Sequence, residues 1–101
     1  MKIWYSEEND TIIAHLEGDI DHHSVKYFKS NIDNVIEEKK PKTMVLDLKG
    51  VPFTDSSGIA IVIGRYKLLK EYNGTLKIIN ASKQVRKVFS FSALEKMMIM
   101  E

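Results

Sequence analysis

The sequence predicts an α/β domain built on a mixed, mainly parallel β-sheet with an antiparallel N-terminal strand and helices packed against it. From Ile12 onwards, apolar strand-like segments alternate with segments of helical periodicity, which implies parallel strands joined by right-handed crossovers. A polar turn at 7–10 separates the first two strand candidates, which implies an antiparallel hairpin. The 101 residues are 44% hydrophobic and 29% charged. This composition predicts one globular domain with a single core, over residues 1–101.

The residue pattern in the first half of the chain predicts two strands, a helix and a third strand. Residues 2–6 and 11–17 have the composition of strands. Apolar residues then recur at helical spacing, so we expect a helix from about His22 to Lys39 with Asp21 as its N-cap. Pro41 ends this segment. The apolar residues on which the helix prediction depends are Val25, Phe28, Ile32, Val35 and Ile36.

The second half repeats the alternation. Capping residues precede an apolar run, which favours a helix near Ser57 to Tyr72, although three isoleucines and a valine would also suit a strand. Asn73-Gly74 is typical of a helix end. The other predicted elements are a strand over 43–48, a strand over 75–79, a helix capped by Ser82, and a short strand or strand-like tail over 97–100.

The spacing of apolar side chains also predicts the core. On the helix after Ser57, Ile59, Val62, Ile63, Tyr66 and Leu69 recur at helical spacing, so we expect this stripe to face the sheet. Much of the core should come from Phe28, Ile32, Val45, Leu46, Leu48, Ile59, Val62, Ile63, Tyr66 and Val88.

Several functional classes are disfavoured by composition. The formal net charge is +1, which gives no electrostatic argument for direct nucleic-acid binding. The chain has no cysteine, which excludes disulfides, thiol catalysis and cysteine metal sites. The longest uninterrupted apolar run, Ile59 to Ile63, is far shorter than a membrane span, and the first residues have no signal-peptide core. We therefore expect a cytoplasmic protein.

One short polar stretch stands out. Asp55, Ser56 and Ser57 follow an apolar strand and precede a helix, where such residues satisfy the free N–H groups of the first turn. A helix start also attracts anions, so a serine there could carry a phosphate at little cost to the fold. The same residue types also occur as ordinary helix caps, and the pattern by itself does not separate the two roles.

A second polar loop should lie beside this stretch. Residues 19–21 follow the second strand and residues 54–57 follow the third. Because functional loops of parallel sheets gather beyond the carboxyl ends of the strands, we expect the two loops to be neighbours. Together Asp19, Asp21 and Asp55 would form a small acidic surface around a serine.

Two blocks of the chain resemble a known family. Asp55-Ser56-Ser57-Gly58-Ile59, continued by residues 63–67, resembles the phosphorylation-site segment of anti-sigma-factor antagonists, which are stand-alone STAS domains. The block from Gly18 to His23 resembles the Gly-x-x-Asp loop before the first helix of that family. The resemblance extends from Ile12 to Ile99 and implies the same order of strands and helices.

The resemblance implies a function. The unphosphorylated protein would bind an anti-sigma factor that is also a serine kinase, and this binding would free a sigma factor. The kinase would then phosphorylate Ser57 with ATP, and a separate serine phosphatase would reset the protein. Gly58, which matches the family's glycine after the serine, would let the kinase backbone approach closely. The implied partner-binding residues are Asp19, Asp21, His22, Asp55, Ser56, Ser57 and Gly58.

The sequence therefore predicts a regulatory binding protein and not an enzyme, with no catalytic residue, metal or cofactor. A hydrolase using Ser57, His22 or His23, and Asp21 is conceivable, but the serine is not in a Gly-x-Ser-x-Gly elbow. Asp19 and these neighbours have no second cluster with metal-ligand spacing, and phosphate-binding glycine loops are absent. A STAS scaffold component of a larger signalling assembly and a nucleotide-binding protein remain alternatives.

Overall fold

The predicted fold class is confirmed by a computed structural model, which describes residues 1–92, 94 and 99–101. Five strands form one sheet in chain order, with the first strand antiparallel to the second and the others parallel. Right-handed crossovers between adjacent parallel strands place the helices on one face of the sheet. The elements are β1 (Lys2–Glu8), β2 (Thr11–Glu17), α1 (Val25–Lys39), β3 (Thr43–Gly50), α2 (Ser56–Lys70), β4 (Thr75–Ile79), α3 (Lys83–Phe89) and β5 (Ile99–Met100).

The hairpin between β1 and β2 is tighter than predicted. Glu8 pairs with Thr11, so the turn contains only Asn9 and Asp10. Asn9 has a φ of 54°, in the left-handed region that asparagine tolerates better than most residues. Glu7 and Glu8, which the sequence placed in the turn, therefore belong to β1.

The start of α1 differs from the prediction. The helix begins at Val25, not near His22, and Asp21 is not its N-cap. Asp21 instead stabilises a turn before the helix, because its carboxylate accepts the N–H groups of His23 at 2.9 Å and Ser24 at 3.1 Å. Ser24 occupies the cap position without a capping hydrogen bond from its side chain, and its hydroxyl donates to the Asp19 carbonyl at 2.7 Å.

The predicted cap of α3 is confirmed, whereas α2 ends two residues earlier than predicted, at Lys70 with Glu71 as its C-cap. At the end of α2, Asn73 has a φ of 66° and the Gly74 N–H donates to the Leu69 carbonyl at 2.8 Å. These contacts satisfy carbonyls that the helix end leaves free. Ser82 caps α3 by accepting the Val85 N–H at 3.2 Å.

Part of the predicted core is confirmed and part is wrong. The buried face of α2 carries Gly58, Ile61, Val62, Arg65 and Leu69. Ile59, Ile63 and Tyr66, expected in the core, pack against it but stay half-buried, as does Val88 on α3. The error has a physical cause. The charged Arg65 interrupts the apolar pattern of the helix face that is buried, so the neighbouring face has the more regular apolar spacing. The confirmed core residues are Phe28, Ile32, Val45, Leu46, Leu48 and Val62.

Arg65 is buried because it has a counter-charge on the neighbouring helix. Its Nε lies 2.7 Å from Oδ1 of Asp33, and the two side chains are only 7% and 24% exposed. Neither atom makes a hydrogen bond of good geometry, so the contact acts mainly through charge. Burial lowers the pKa of Arg65, while the Asp33 carboxylate acts in the opposite direction. The pair joins α1 to α2.

The C-terminal strand is confirmed in part. Ile99 and Met100 pair with Lys77 and Ile78 of β4 in parallel. Met97 and Met98, which the sequence assigned to the same strand or tail, lie outside the described residues. Within the described part of the chain, the helices are all too short or too polar to cross a membrane.

The Arg65–Asp33 pair gives a test of the packing between α1 and α2. Asp33→Ala leaves the guanidinium of Arg65 buried without its counter-charge, so we expect it to lower the free energy of unfolding by about 1–3 kcal/mol. This loss lies between those expected for removing one partner of an exposed ion pair and of a fully buried one. The control is Glu7→Ala, which removes an exposed pair with Lys39 at 3.5 Å. That variant should lose at most about 0.5 kcal/mol.

Urea unfolding of both variants measures the two losses. Equal effects of Asp33→Ala and Glu7→Ala would show that the buried position of Arg65 does not depend on Asp33.

Candidate functional site

The two polar loops are neighbours, as the sequence predicts. The Ile20 N–H donates to the Phe53 carbonyl at 3.0 Å, and the Asp55 N–H donates to the Ile20 carbonyl at 3.1 Å. These bonds form a parallel bridge between Ile20 and Thr54 just beyond the ends of β2 and β3. The bridge therefore fixes the loop after β2 beside the loop that starts α2.

The other edge of the same segment is held by a side chain of α3. The Thr54 N–H donates to Oε1 of Gln84 at 3.0 Å, and Nε2 of Gln84 donates to the Thr54 carbonyl at 3.0 Å. The side-chain amide of Gln84 thus makes the two backbone hydrogen bonds that a neighbouring strand would otherwise make. Thr54 is fully buried, and its hydroxyl donates to the Asp55 carbonyl at 3.0 Å. Residues 53–55 are therefore hydrogen-bonded on both sides, which restricts their motion.

Sequence reasoning missed Gln84. The residue lies thirty positions after Thr54, and a glutamine two residues after a helix cap has no pattern that pairs it with a distant loop. Only the packing of α3 beside the start of α2 brings the two together.

The serines lie at the start of α2. Oδ1 of Asp55 accepts the Ser57 N–H at 2.7 Å, so Asp55 caps the helix. Ser56 is exposed and Ser57 is half-buried in the first turn. Free N–H groups and the helix dipole favour an anion here, whereas the Asp55 carboxylate opposes one. The first turn can therefore accept a modest negative charge without disrupting the helix.

The neighbouring loop adds charge and imidazole groups. Asp19, His22 and His23 are exposed, and the two histidine rings lie 4.0 Å apart between centroids. Desolvation acts to raise the pKa of Asp21, but the N–H groups of Ser24 and His23 and the nearby imidazoles outweigh it. The pKa of Asp21 is therefore lowered, and its carboxylate is ionised at neutral pH.

Gly58 has a packing role that the sequence did not reveal. It is buried in the first turn of α2. An added Cβ would overlap Oγ1 of Thr54 and lie 3.2 Å from Cβ of Thr54 and 3.4 Å from Cε1 of Phe89. The absence of a side chain is thus required by internal packing. Access for a kinase backbone, expected from the sequence, is not needed to explain this glycine.

An exposed aromatic side chain borders the site and was also missed. Phe53 is 44% exposed although it directly precedes the buried Thr54. Its backbone is fixed by the bridge to Ile20, so the ring is presented from a rigid segment. The available signal was an apolar residue after Pro52, beyond the end of the apolar strand. Aromatic residues on rigid surfaces are common anchors in protein interfaces.

The geometry does not favour the enzymatic alternatives at this site. Among the described residues, no three histidine or carboxylate side chains come together as a possible metal site. In the same part of the chain, the hydrogen bonds of Asp21 stabilise its own turn and do not orient a histidine toward Ser57. The arrangement is a rigid polar surface with one exposed aromatic ring.

Comparison with known proteins gives consistent matches over almost the whole chain. The family model described as the STAS domain matches residues 4–101. The chain is 30% identical to the anti-sigma F factor antagonist of Paenibacillus polymyxa, over 97% of this chain and 84% of that protein. It is 36% identical to the protein of the same name from Lysinibacillus sphaericus, over 84% of this chain and 73% of that one.

Solved structures agree with these matches. The anti-sigma factor antagonist SpoIIAA in its unphosphorylated form is 28% identical and superposes with a TM-score of 0.75, over 99% of this chain and 87% of that one. The phosphorylated form of the Bacillus cell fate determinant SpoIIAA is 30% identical with a TM-score of 0.75, over 99% and 91% of the two chains.

The two glycines of α2 give a matched test of the packing at Gly58. Gly58→Ala should destabilise the protein by about 1–3 kcal/mol, because its Cβ overlaps a buried threonine. Gly64→Ala places a Cβ where no atom lies within 4 Å. It should stabilise the protein by about 0.5–1 kcal/mol through helix propensity. Thermal unfolding measures both, and a Gly58→Ala protein as stable as Gly64→Ala would contradict this packing.

Proposed function

This chain belongs to the STAS domain family, and on that premise we propose that it is an anti-sigma-factor antagonist. In this proposal the unphosphorylated protein binds an anti-sigma factor with serine kinase activity and so frees a sigma factor. Phosphorylation of Ser57 ends the binding, and a serine phosphatase restores it. The observation that supports the proposal best is the position of Ser57 in the first turn of α2, on a loop fixed to the Asp21 loop by the Ile20 bridge.

The proposed contact surface follows from the two joined loops. It contains Asp19, Asp21, His22, Asp55, Ser56 and Ser57, and Phe53 adds an apolar ring at its border. Gly58 is buried directly beneath this surface, where it packs in the first turn of α2. The backbone of residues 53–55 is already ordered in the free protein, so a partner would lose little conformational entropy on this side of the interface.

A phosphate at Ser57 is expected to affect binding much more than folding. It adds about −1.5 to −2 charges at neutral pH. Within the molecule, the helix start attracts it by about 0.3–1 kcal/mol, while Asp55 and Asp21 repel it. In a complex, the added charge must lose its water and meet groups that packed against a neutral hydroxyl. A tenfold loss of affinity requires only about 1.4 kcal/mol.

The remaining parts of the proposal concern the cellular setting. We infer that residues 1–101 act as one domain in the cytoplasm, and that the kinase and phosphatase are separate proteins. In this role the surface around Ser57 needs no catalytic residue of its own, because the kinase binds ATP and supplies the phosphoryl-transfer machinery.

Variants of the two adjacent serines test the switch. We expect Ser57→Asp to bind the cognate anti-sigma factor at least tenfold more weakly than wild type while unfolding at nearly the same temperature. Ser57→Ala should bind it but resist phosphorylation. Ser56→Ala is the matched control and should be phosphorylated normally. Calorimetry measures affinity, and mass spectrometry after incubation with the kinase and ATP locates the phosphate.

Two outcomes would contradict the proposal. Phosphate on Ser56 alone would show that the switch lies at the other serine. Unchanged affinity after modification of Ser57 would show that the surface around it is not the interface.

A further inference from the structure

The sheet face opposite the helices carries three polar side chains, on three adjacent strands, that are linked by hydrogen bonds. The Ser6 hydroxyl on β1 lies 2.7 Å from Nε2 of His15 on β2, and Nδ1 of His15 lies 2.8 Å from Oδ2 of Asp47 on β3. His15 is the register partner of both Trp4 and Asp47, and Ser6 lies two residues after Trp4. Because side chains alternate along a strand, all three groups point to the same face.

Of these three side chains, Asp47 is held by the most hydrogen bonds. Its Oδ1 accepts the Asn80 side-chain amide and the Lys49 N–H, both at 3.0 Å, and its side chain is only 13% exposed. Desolvation acts to raise its pKa, but the hydrogen bonds from Asn80, Lys49 and His15 outweigh it. The pKa of Asp47 is therefore lowered, and the carboxylate is ionised at neutral pH.

The ionised carboxylate determines which tautomer the His15 imidazole adopts when it is neutral. A carboxylate only accepts hydrogen bonds, so Nδ1 of His15 carries the proton. Nε2 then has a free lone pair and accepts the Ser6 hydroxyl. The Trp4 ring stacks on the imidazole at 5.5 Å between centroids and 15° between planes, which restricts the imidazole orientation. A serine, a base and a group that orients the base are thus aligned, which is the arrangement of an activated nucleophile.

Space is available beside the serine and beside the base. Ser6 lines an open cleft of about 310 Å³ with Thr11 and Ile13, among other residues. His15 and Trp4 line a second cleft of about 330 Å³. A small ester can therefore approach the hydroxyl, and the Trp4 ring offers an apolar surface for an aryl group.

We propose that Ser6 is a nucleophilic modification site that accepts an acyl group from an activated ester, with His15 as general base and Asp47 as the residue that positions it. Oγ of Ser6 attacks the carbonyl carbon and forms the new C–O bond while Nε2 of His15 takes the hydroxyl proton. The bond to the leaving oxygen then breaks, and that oxygen departs with the electron pair and the proton from His15. The products are an acylated Ser6 and an alcohol or phenol.

This site is separate from the proposed switch. The hydrolytic set considered from the sequence was Ser57, His22 or His23, and Asp21, and it did not include His15. The structure instead aligns Ser6, His15 and Asp47, and none of these belongs to the loops beyond the carboxyl ends of β2 and β3. The inference stands whether or not the chain binds an anti-sigma factor.

A fluorophosphonate probe and p-nitrophenyl acetate test the proposal on the full chain. We expect one probe molecule per protein, located on Ser6 by tandem mass spectrometry, and a stoichiometric burst of p-nitrophenol. Ser6→Ala should remove both signals. Asp47→Asn should lower the labelling rate at least tenfold, because an amide does not hold the imidazole in the required tautomer. Circular dichroism verifies that each variant is folded.

The matched control is Asp10→Asn, which changes a 72% exposed aspartate in the β1–β2 turn. It should be labelled at the wild-type rate. No labelling of the wild-type protein, labelling that persists in Ser6→Ala, or equal rates for Asp47→Asn and Asp10→Asn would overturn the proposal. Any of these results would show that the three side chains form only a structural hydrogen-bond ladder.

Discussion

The site depends on the hydrogen bonding of residues 53–55 along both edges. The Ile20 backbone pairs with one edge, and the Gln84 side chain pairs with the other. This double pairing buries Thr54 and fixes the residue that caps α2. The position of Ser57 therefore depends on both a crossover loop and a later helix. On the buried side of the same segment, Gly58 packs against Thr54 and Phe89.

A loop held in this way constrains how phosphorylation can act. Rearranging residues 53–55 would break the hydrogen bonds of the buried Thr54 backbone, and such groups are costly to leave unsatisfied. Phosphate at the helix start meets attraction from the helix and repulsion from Asp55, and these effects oppose each other. We therefore infer that a phosphate changes the charge of the surface and leaves its backbone in place, so that the partner detects charge and not a new conformation.

Much of the fold could be predicted because its signals are local. The Asp55 and Ser82 caps, the Asn73-Gly74 helix end and the strand periodicities each lie within a few residues of the element that they define. The meeting of the two loops was also predictable, since it follows from the carboxyl-end rule for parallel strands.

The features that could not be predicted depend on contacts across the fold. Arg65 is buried only because Asp33 of another helix balances its charge, and no periodicity reveals that. The same holds for Gln84, and for the alignment of Ser6, His15 and Asp47 across three strands. Asp21 shows a different error: it was predicted as the N-cap of α1, but its carboxylate stabilises a turn that precedes the helix.

Amide hydrogen exchange on the unphosphorylated and Ser57-phosphorylated protein measures whether the phosphate leaves residues 53–55 in place. The N–H groups of Ile20, Thr54 and Asp55 report the two edges of the fixed segment. A phosphate that acts through charge should leave their protection within about threefold, while affinity for the anti-sigma factor falls at least about tenfold. A loss of protection of more than about tenfold at these amides would show that the loop opens when the phosphate is added, and that the partner does not detect charge alone.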